Sequence, residues 1–209
     1  MKILLVGFGR INKKIFERYV SDIIGIITNE EKHINNIPDI IIDFSHPDML
    51  DETIFYANKY MVPVLIGTTG YSEEKMAQIK ELSEKVAVMK SNNFSLGIYL
   101  INKILKDNIS IIKNYEKKIV EIHHKDKADK ISGTALMLSN ILDTNNVITE
   151  RIEDTNGEHK IILVSNNEEI IIAHSALDRM AFVVGVEKAM KWLLDKKANL
   201  YSFEDTFDE

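Results

Sequence analysis

Residues 120–135, VEIHHKDKADKISGTA, bring together groups that can move protons and bind anions. His123 and His124 stand side by side, and imidazole is the side chain best matched to proton transfer near neutral pH. Lys127 is a point cation suited to a carboxylate. Ser132-Gly133-Thr134, at the start of a helical pattern, offers hydroxyls and free backbone N–H groups to an anion. Three readings of this stretch compete. In the first the histidines are structural, the lysines form a solvated run and Ser132 is a helix N-cap. In the second His123 and His124 hold a metal; adjacent histidines rarely chelate, however, and no third ligand stands nearby at a recognised spacing, so no metal is expected. In the third the stretch binds a small dianion and supplies it with a proton.

These groups need a frame. Residues 118–122 alternate like a strand that delivers the histidines, and neighbours on a strand point to opposite faces. One histidine of the pair should therefore face a given ligand, unless the chain turns there. Residues 95–115 read as one long amphipathic helix, with Ile98, Ile101, Ile104, Leu105, Ile109 and Ile112 as its apolar stripe. Residues 160–164 and 169–173, joined by Ser165-Asn166-Asn167-Glu168, read as a hairpin. The closing acidic residues Glu204, Asp205, Asp208 and Glu209 read as a solvated tail.

The N-terminal half has a nucleotide-binding layout. Residues 3–6 form a short, continuously apolar run of the kind that buried parallel strands show. Gly7-Phe8-Gly9 follows, then Arg10-Ile11-Asn12 and a helical pattern carrying Ile11, Ile15 and Tyr19 on one face. Glycines in a strand–helix turn let the backbone approach a pyrophosphate, and the helix N-terminus favours its charge. The usual third glycine is absent, and Asn12 stands in its place. Further strands are expected at residues 23–28, 39–44, 62–66 and 86–89, with a helix after the third strand that carries Met49, Leu50, Thr53, Ile54 and Ala57 on its inner side, and another after the fourth over about residues 73–85. Such alternation implies a doubly wound parallel sheet, with ligands beyond the carboxyl ends of the strands. Those ends carry GFGR, Ser45-His46-Pro47, Gly67-Thr68-Thr69-Gly70 and Ser91-Asn92-Asn93-Phe94. After the second strand, Glu30 or Glu31 could meet a ribose hydroxyl and Lys32 a 2′-phosphate, but the run also reads as a solvated turn. NADH versus NADPH stays open.

Composition sets the outer limits. A length of 209 residues suffices for one large domain or two small ones. The net charge of −6 argues against nucleic acid or an acidic membrane surface as partner. Cysteine is absent, which excludes disulfides, thiolate metal sites and thiol nucleophiles, and suits a reducing cytosol. The apolar run before Gly7 is too short for a signal peptide or a membrane span, and a cytoplasmic protein is expected.

Residues 121–135 resemble the signature of the dihydrodipicolinate reductase family, E-x-H-H-x-x-K-x-D-x-P-S-G-T-A. The chain matches at Glu121, His123, His124, Lys127, Asp129, Ser132, Gly133, Thr134 and Ala135, and carries Ile131 where the family has proline. The segments GFGRIN, Asp43–Pro47, Gly67–Gly70, Asn93–Gly97 and His174–Arg179, with Phe182, Gly185 and Ala189, are similar to the family in the same order. The resemblance implies an α/β reductase with a Rossmann-type doubly wound sheet and a second, α+β domain for substrate and oligomerisation. Residues 1–95, completed by 178–209, would bind the dinucleotide; residues 96–177 would bind substrate and assemble a homotetramer. It implies NADH- or NADPH-dependent reduction of a cyclic unsaturated dicarboxylate on the diaminopimelate route to lysine. His123 would donate the proton, Lys127 would assist as a second acid, and His124, Gly133 and Thr134 would hold the substrate. Gly67, Thr68, Thr69, Ser91, Asn92, Asn93 and Phe94 would contact the cofactor.

The chain also departs from the family. It is shorter than usual around residues 30–38 and 142–151. The family's R-G-G segment falls on Arg151-Ile152-Glu153, losing both glycines, with Gly157-Glu158-His159 in register after it. Without proline at 131, the approach to Ser132 would be looser until substrate arrives. The other two readings are a nucleotide-binding member that has lost turnover, and another NAD(P)-dependent dehydrogenase of similar layout.

Overall fold

The computed structural model describes residues 1–125, 130–153 and 155–208. The chain divides into two compact units, Met1–Phe94 with Phe182–Glu209, and Ser95–Ala181.

The first unit runs β1 (Ile3–Val6), α1 (Arg10–Arg18), β2 (Ile23–Ile27), β3 (Lys32–Ile34), β4 (Ile40–Asp43), α2 (Leu50–Tyr60), β5 (Val64–Ile66), α3 (Glu73–Ser83) and β6 (Ala87–Lys90). The second contains α4 (Leu96–Asp107), α5 (Ile109–Ile112), β7 (Glu116–His124), α6 (Gly133–Leu142), β8 (Val147–Ile152), β9 (Glu158–Val164) and β10 (Glu169–Ser175). The chain ends with α7 (Met180–Leu193) and β11 (Asn199–Tyr201). In the first sheet the order is β11-β6-β5-β4-β1-β2-β3, parallel throughout except at β3. The apolar runs of β1, β4 and β5 are wholly buried because helices leave both faces of a parallel sheet dry. The order reverses between β4 and β1, which places the glycine turn after β1 at the topological switch point.

Several elements differ from the sequence expectation. Residues 30–38 do not pass straight to the third predicted strand; they include the edge strand β3, whose turn forms as Thr28 Oγ1 accepts the N–H groups of Glu30 (3.2 Å) and Glu31 (3.0 Å). Lys32 lies on β3 and pairs with Glu52. The helix expected over 95–115 breaks at Asn108 (φ −115°, ψ 12°), whose Nδ2 donates to the Ile104 carbonyl at 2.8 Å. A side chain that bonds the backbone locally competes with the helix ladder. The closing residues are not simply a solvated tail. β11 extends the sheet beside β6, Phe203 packs on Phe94 with ring centroids 5.2 Å apart, and Asp205 accepts the Ser202 N–H at 2.6 Å.

In the second unit the sheet order is β10-β9-β7-β8. β7 and β8 are parallel, joined through α6, while β9 runs antiparallel to β7 and β10. The β9–β10 hairpin was expected; β8 was not. Ile119, Ile161 and Leu163 on one sheet face form a core with Ile101 and Leu105 of α4 and Leu138 and Leu142 of α6. The other face is apolar but open, with Ile148, Ile152 and Ile171 40%, 46% and 56% exposed.

Candidate active site

Strand alternation gives Ile119, Glu121 and His123 the same face of β7, and gives His124 the other. Glu121 is fully buried, a costly place for a carboxylate unless its oxygens are served. Both oxygens accept the Ser132 N–H at 3.1 Å, and Oε1 lies 3.4 Å from Arg151 Nη2. On the Oε2 side, His123 Nδ1 stands at 3.5 Å and His159 Nε2 at 3.9 Å. Sheet register makes this meeting possible, because His123 is paired with Arg151 on β8 and Glu121 with His159 on β9. The His123 and His159 rings are 5.2 Å apart, edge to face.

Two local features complete the cluster. Ser132 caps α6 by accepting the Ala135 N–H at 3.1 Å, and its Oγ lies 3.3 Å from His159 Nε2. The N-cap reading of Ser132 is therefore right, and both its N–H and its hydroxyl are engaged within the frame. Gly157, at φ +113°, backs the His123 ring; a Cβ there would sit 3.1 Å from Nε2. Both the backbone angle and the space call for glycine.

The structure thus gathers His123, Ser132 and the start of α6 at Gly133 and Thr134, and leaves His124 on the opposite strand face. Lys127 lies outside the described residues. Sequence reasoning treated Glu121 only as a motif match, and Arg151 and His159 only as positions in a segment. The two-residue spacing of Glu121 and His123 on a strand could have revealed the first; the others needed the register. The donor atoms of Glu121, His123 and His159 lie within 4.8 Å of one another, so a third group does stand beside His123. Among the described residues, the Arg151 guanidinium stands beside this carboxylate as its cation.

Farther along β10, His174 Nε2 lies 3.1 Å from Ser95 Oγ, the N-cap of α4, and burial lowers the pKa of the ring.

The strand ends of the first unit form a second cluster. Gly7 turns at φ +81°, where a Cβ would lie 2.7 Å from Ser45 Cα. Gly9, the N-cap residue, gives α1 no side-chain cap, so Phe8, Arg10 and Ile11 flank a helix start whose N–H groups suit an anion. Asn12 is buried and its Nδ2 donates to the Val6 and Gly7 carbonyls, both at 2.8 Å. The residue in the third-glycine position therefore locks the turn from within the helix. Asp43 ends β4 as a buried acceptor for Ser45 Oγ, Thr68 Oγ1 and Thr53 Oγ1. Burial pushes its pKa up, and those hydrogen bonds oppose the rise. Thr68 thus directs its hydroxyl to Asp43, while Gly67 and Thr69 flank it in the same loop. Ser91 Oγ donates to the Asn93 carbonyl at 2.7 Å, with Asn92 exposed between them. Phe94 is core, packed between Phe44 and Phe203.

Two family models match the chain. One, described as the N-terminus of dihydrodipicolinate reductase, matches residues 19–94; the other, its C-terminus, matches residues 97–207. The glycine turn lies ahead of both, so its reading rests on geometry. The 4-hydroxy-tetrahydrodipicolinate reductase of Thermosipho africanus (strain TCF52B) is 36% identical over 214 residues, covering 100% of this chain and 99% of the relative. The shortness of the chain is therefore shared with a relative. That of Clostridium novyi (strain NT) is 38% identical over 190 residues, covering 80% of this chain and 75% of the relative. Among solved structures, a dipicolinate-bound dihydrodipicolinate reductase from Paenisporosarcina sp. TG-14 has the same fold, with a TM-score of 0.74 at 18% identity, covering 98% of this chain and 99% of that one.

Proposed function

This chain belongs to the dihydrodipicolinate reductase family, and we propose that it is a 4-hydroxy-tetrahydrodipicolinate reductase in which His123 is the proton donor. The observation that carries the reading is the His123–Glu121 contact beside the capped start of α6, within a chain that matches a named reductase from end to end.

The first unit fits a pyridine nucleotide. The turn at Gly7–Gly9 lies at the switch point of the sheet, and the first turn of α1 has no side-chain cap. NADH or NADPH, when bound, supplies the hydride. Gly7, Phe8, Gly9, Arg10 and Ile11 would face its pyrophosphate, with Asn12 holding the turn. Gly67, Thr68 and Thr69 and the backbone of residues 91–94 would line the rest. In the second unit, Gly133 and Thr134 offer N–H groups to a carboxylate of the substrate, and Ser132 sets the turn that aims them. Lys127 is assigned to the same dicarboxylate, also as a second acid, and so is His124, which starts on the other face of β7 but is the strand's last residue, where the chain turns. Hydride addition to the unsaturated ring leaves an electron pair that must be protonated, and the His123 imidazolium supplies that proton.

We further propose a homotetramer in the cytoplasm. The open apolar face carrying Ile148, Ile152 and Ile171 supports association through the second unit. No helix among the described residues is long and apolar enough to cross a membrane.

The deciding assay generates the substrate in situ with its synthase and follows NADH and NADPH oxidation separately. Oxidation of at least one is expected. No oxidation by protein shown to bind a nucleotide would overturn the enzyme reading. His123→Ala should lower turnover by at least about a hundredfold while nucleotide binding survives; an unchanged rate removes His123 as the acid.

A further inference from the structure

We propose that Glu121 is the positioning residue of this reaction, its buried carboxylate fixing the His123 ring and the start of α6 to one another. The proposal rests on the reading of His123 as proton donor.

Removing a carboxylate from water costs several kcal/mol, so its partners explain why it is tolerated. Glu121 has two kinds of partner. Arg151 and the Ser132 N–H neutralise and anchor it, at 3.4 Å and 3.1 Å. His123 Nδ1 faces its Oε2 at 3.5 Å, an ion-pair distance rather than a hydrogen bond. With Nδ1 turned to the carboxylate, Nε2, on the Gly157 side of the ring, is the nitrogen placed to give up a proton. A carboxylate at this range also favours the imidazolium. Through the Ser132 N–H the same oxygens hold the N-cap of α6, the segment assigned to gripping substrate. A small displacement of Glu121 would therefore move donor and grip together, and a misplacement of about 1 Å can cost on the order of a hundredfold in rate.

The charged and titratable groups packed around His123, among the described residues, are Glu121 on its own strand, Arg151 on β8 and His159 on β9. Lys125 is turned to Glu153. Arg151 disfavours the imidazolium and Glu121 favours it, with the Glu121 carboxylate 3.5 Å from Nδ1.

The test is Glu121→Gln in the full-length protein, with kcat, KM and nucleotide affinity measured across pH and the His123 ring followed by NMR. The expected result is a kcat lower by on the order of ten- to a hundredfold, a part of the 10²–10⁴ that a positioned acid contributes. The alkaline limb of kcat should move to lower pH, and nucleotide affinity should stay put. Glu121→Asp keeps the charge and shifts its place, so it should restore the pH limb without restoring kcat. In a His123→Ala background, Glu121→Gln should cost little more, because the two act as a unit. Wild-type kcat and pH limb in Glu121→Gln would overturn the proposal. So would an undiminished effect in the His123→Ala background, which marks a purely structural role. Stoichiometric zinc held by the wild type and lost in Glu121→Gln would overturn it too, replacing the positioning role with a metal site. If the wild type turns over neither nucleotide, the functional reading falls. The NMR titration still decides whether Glu121 governs the ring: titration at lower pH in Glu121→Gln supports it, and an unmoved titration overturns it.

Discussion

Asp43 offers the sharpest test of the energetics of the nucleotide edge. Its Oδ1 accepts from the Ser45 N–H (3.0 Å), Ser45 Oγ (2.5 Å) and Thr68 Oγ1 (2.8 Å), and its Oδ2 from Thr53 Oγ1 (2.8 Å). Not all of these donors would be stranded by Asp43→Ala. The Ser45 N–H also reaches Thr68 Oγ1 at 2.8 Å, Ser45 Oγ can turn to the His46 carbonyl at 3.3 Å, and Thr53 Oγ1 to that of Met49 at 3.5 Å. The Thr68 hydroxyl, buried and with Asp43 as its acceptor, loses most. One or two poorly served donors at about 1–3 kcal/mol each, less the relief of unburying a charge, give a loss of about 2–4 kcal/mol. Asp43→Asn keeps Oδ1 and presents an amide to Thr53, whose hydroxyl can accept instead, so a change within about 1 kcal/mol is expected. Trp192, the chain's one tryptophan, lies on α7 in the same unit and reports its unfolding in urea. The pH dependence has a definite sign. Burial raises the folded-state pKa of Asp43, so its contribution is fullest below the unfolded carboxylate value and is lost as pH rises through the folded one. Wild type should therefore gain on Asp43→Asn as the medium is acidified. An Asp43→Ala variant with the wild-type urea midpoint, or one no worse than Asp43→Asn, refutes this reasoning.

Other expectations follow from single contacts. Asn12→Ala removes both 2.8 Å bonds to the Val6 and Gly7 carbonyls and should cost about 1–3 kcal/mol, read by Trp192 fluorescence, along with nucleotide affinity. Gly157→Ala meets both a φ of +113° and the His123 ring, so kcat should fall and the second unit should lose at least about 1 kcal/mol while nucleotide binding is untouched. Lys191 and Arg18 hold the Glu187 carboxyl down to about 2, so the wild-type advantage over Glu187→Gln should be present above the ordinary carboxylate range and vanish as pH falls toward 2. That pair is partly exposed, and added salt should shrink the difference. The lowered pKa of His174 predicts stability that is full above the ordinary histidine value and is lost on acidification, a slope that His174→Gln should flatten in circular-dichroism melts.

What could be read from the sequence was what is local. Short apolar runs, one ended by Gly7 and the other by Ser45-His46-Pro47, announced β1 and β4, and Ser132 ahead of an apolar pattern announced the start of α6, because those signals lie within one element. The misses share a cause. β3 is three polar-edged residues with no pattern of its own and exists because β2 offers it an edge. Asn108 reads as a tolerable helical residue, and only its bond to Ile104 shows the break. The closing acidic residues look like solvent-seeking tail until Phe203 finds Phe94, more than a hundred positions earlier in the chain. The site follows the same division. His123 was visible by type, but the carboxylate that governs it is legible only once β7 is known to be a strand, and Arg151 and His159 only once β8 and β9 are in register with it. Ile131 shows how such a reading can be turned around. In place of proline the chain has an apolar side chain that packs against the core of the second unit, and the next N–H is held by Glu121. Packing and a buried carboxylate thus restrain the approach to α6 where a pyrrolidine ring would have done so. Ile131→Pro should accordingly change turnover far less than Glu121→Gln, because proline at 131 leaves the Ser132 N–H in place.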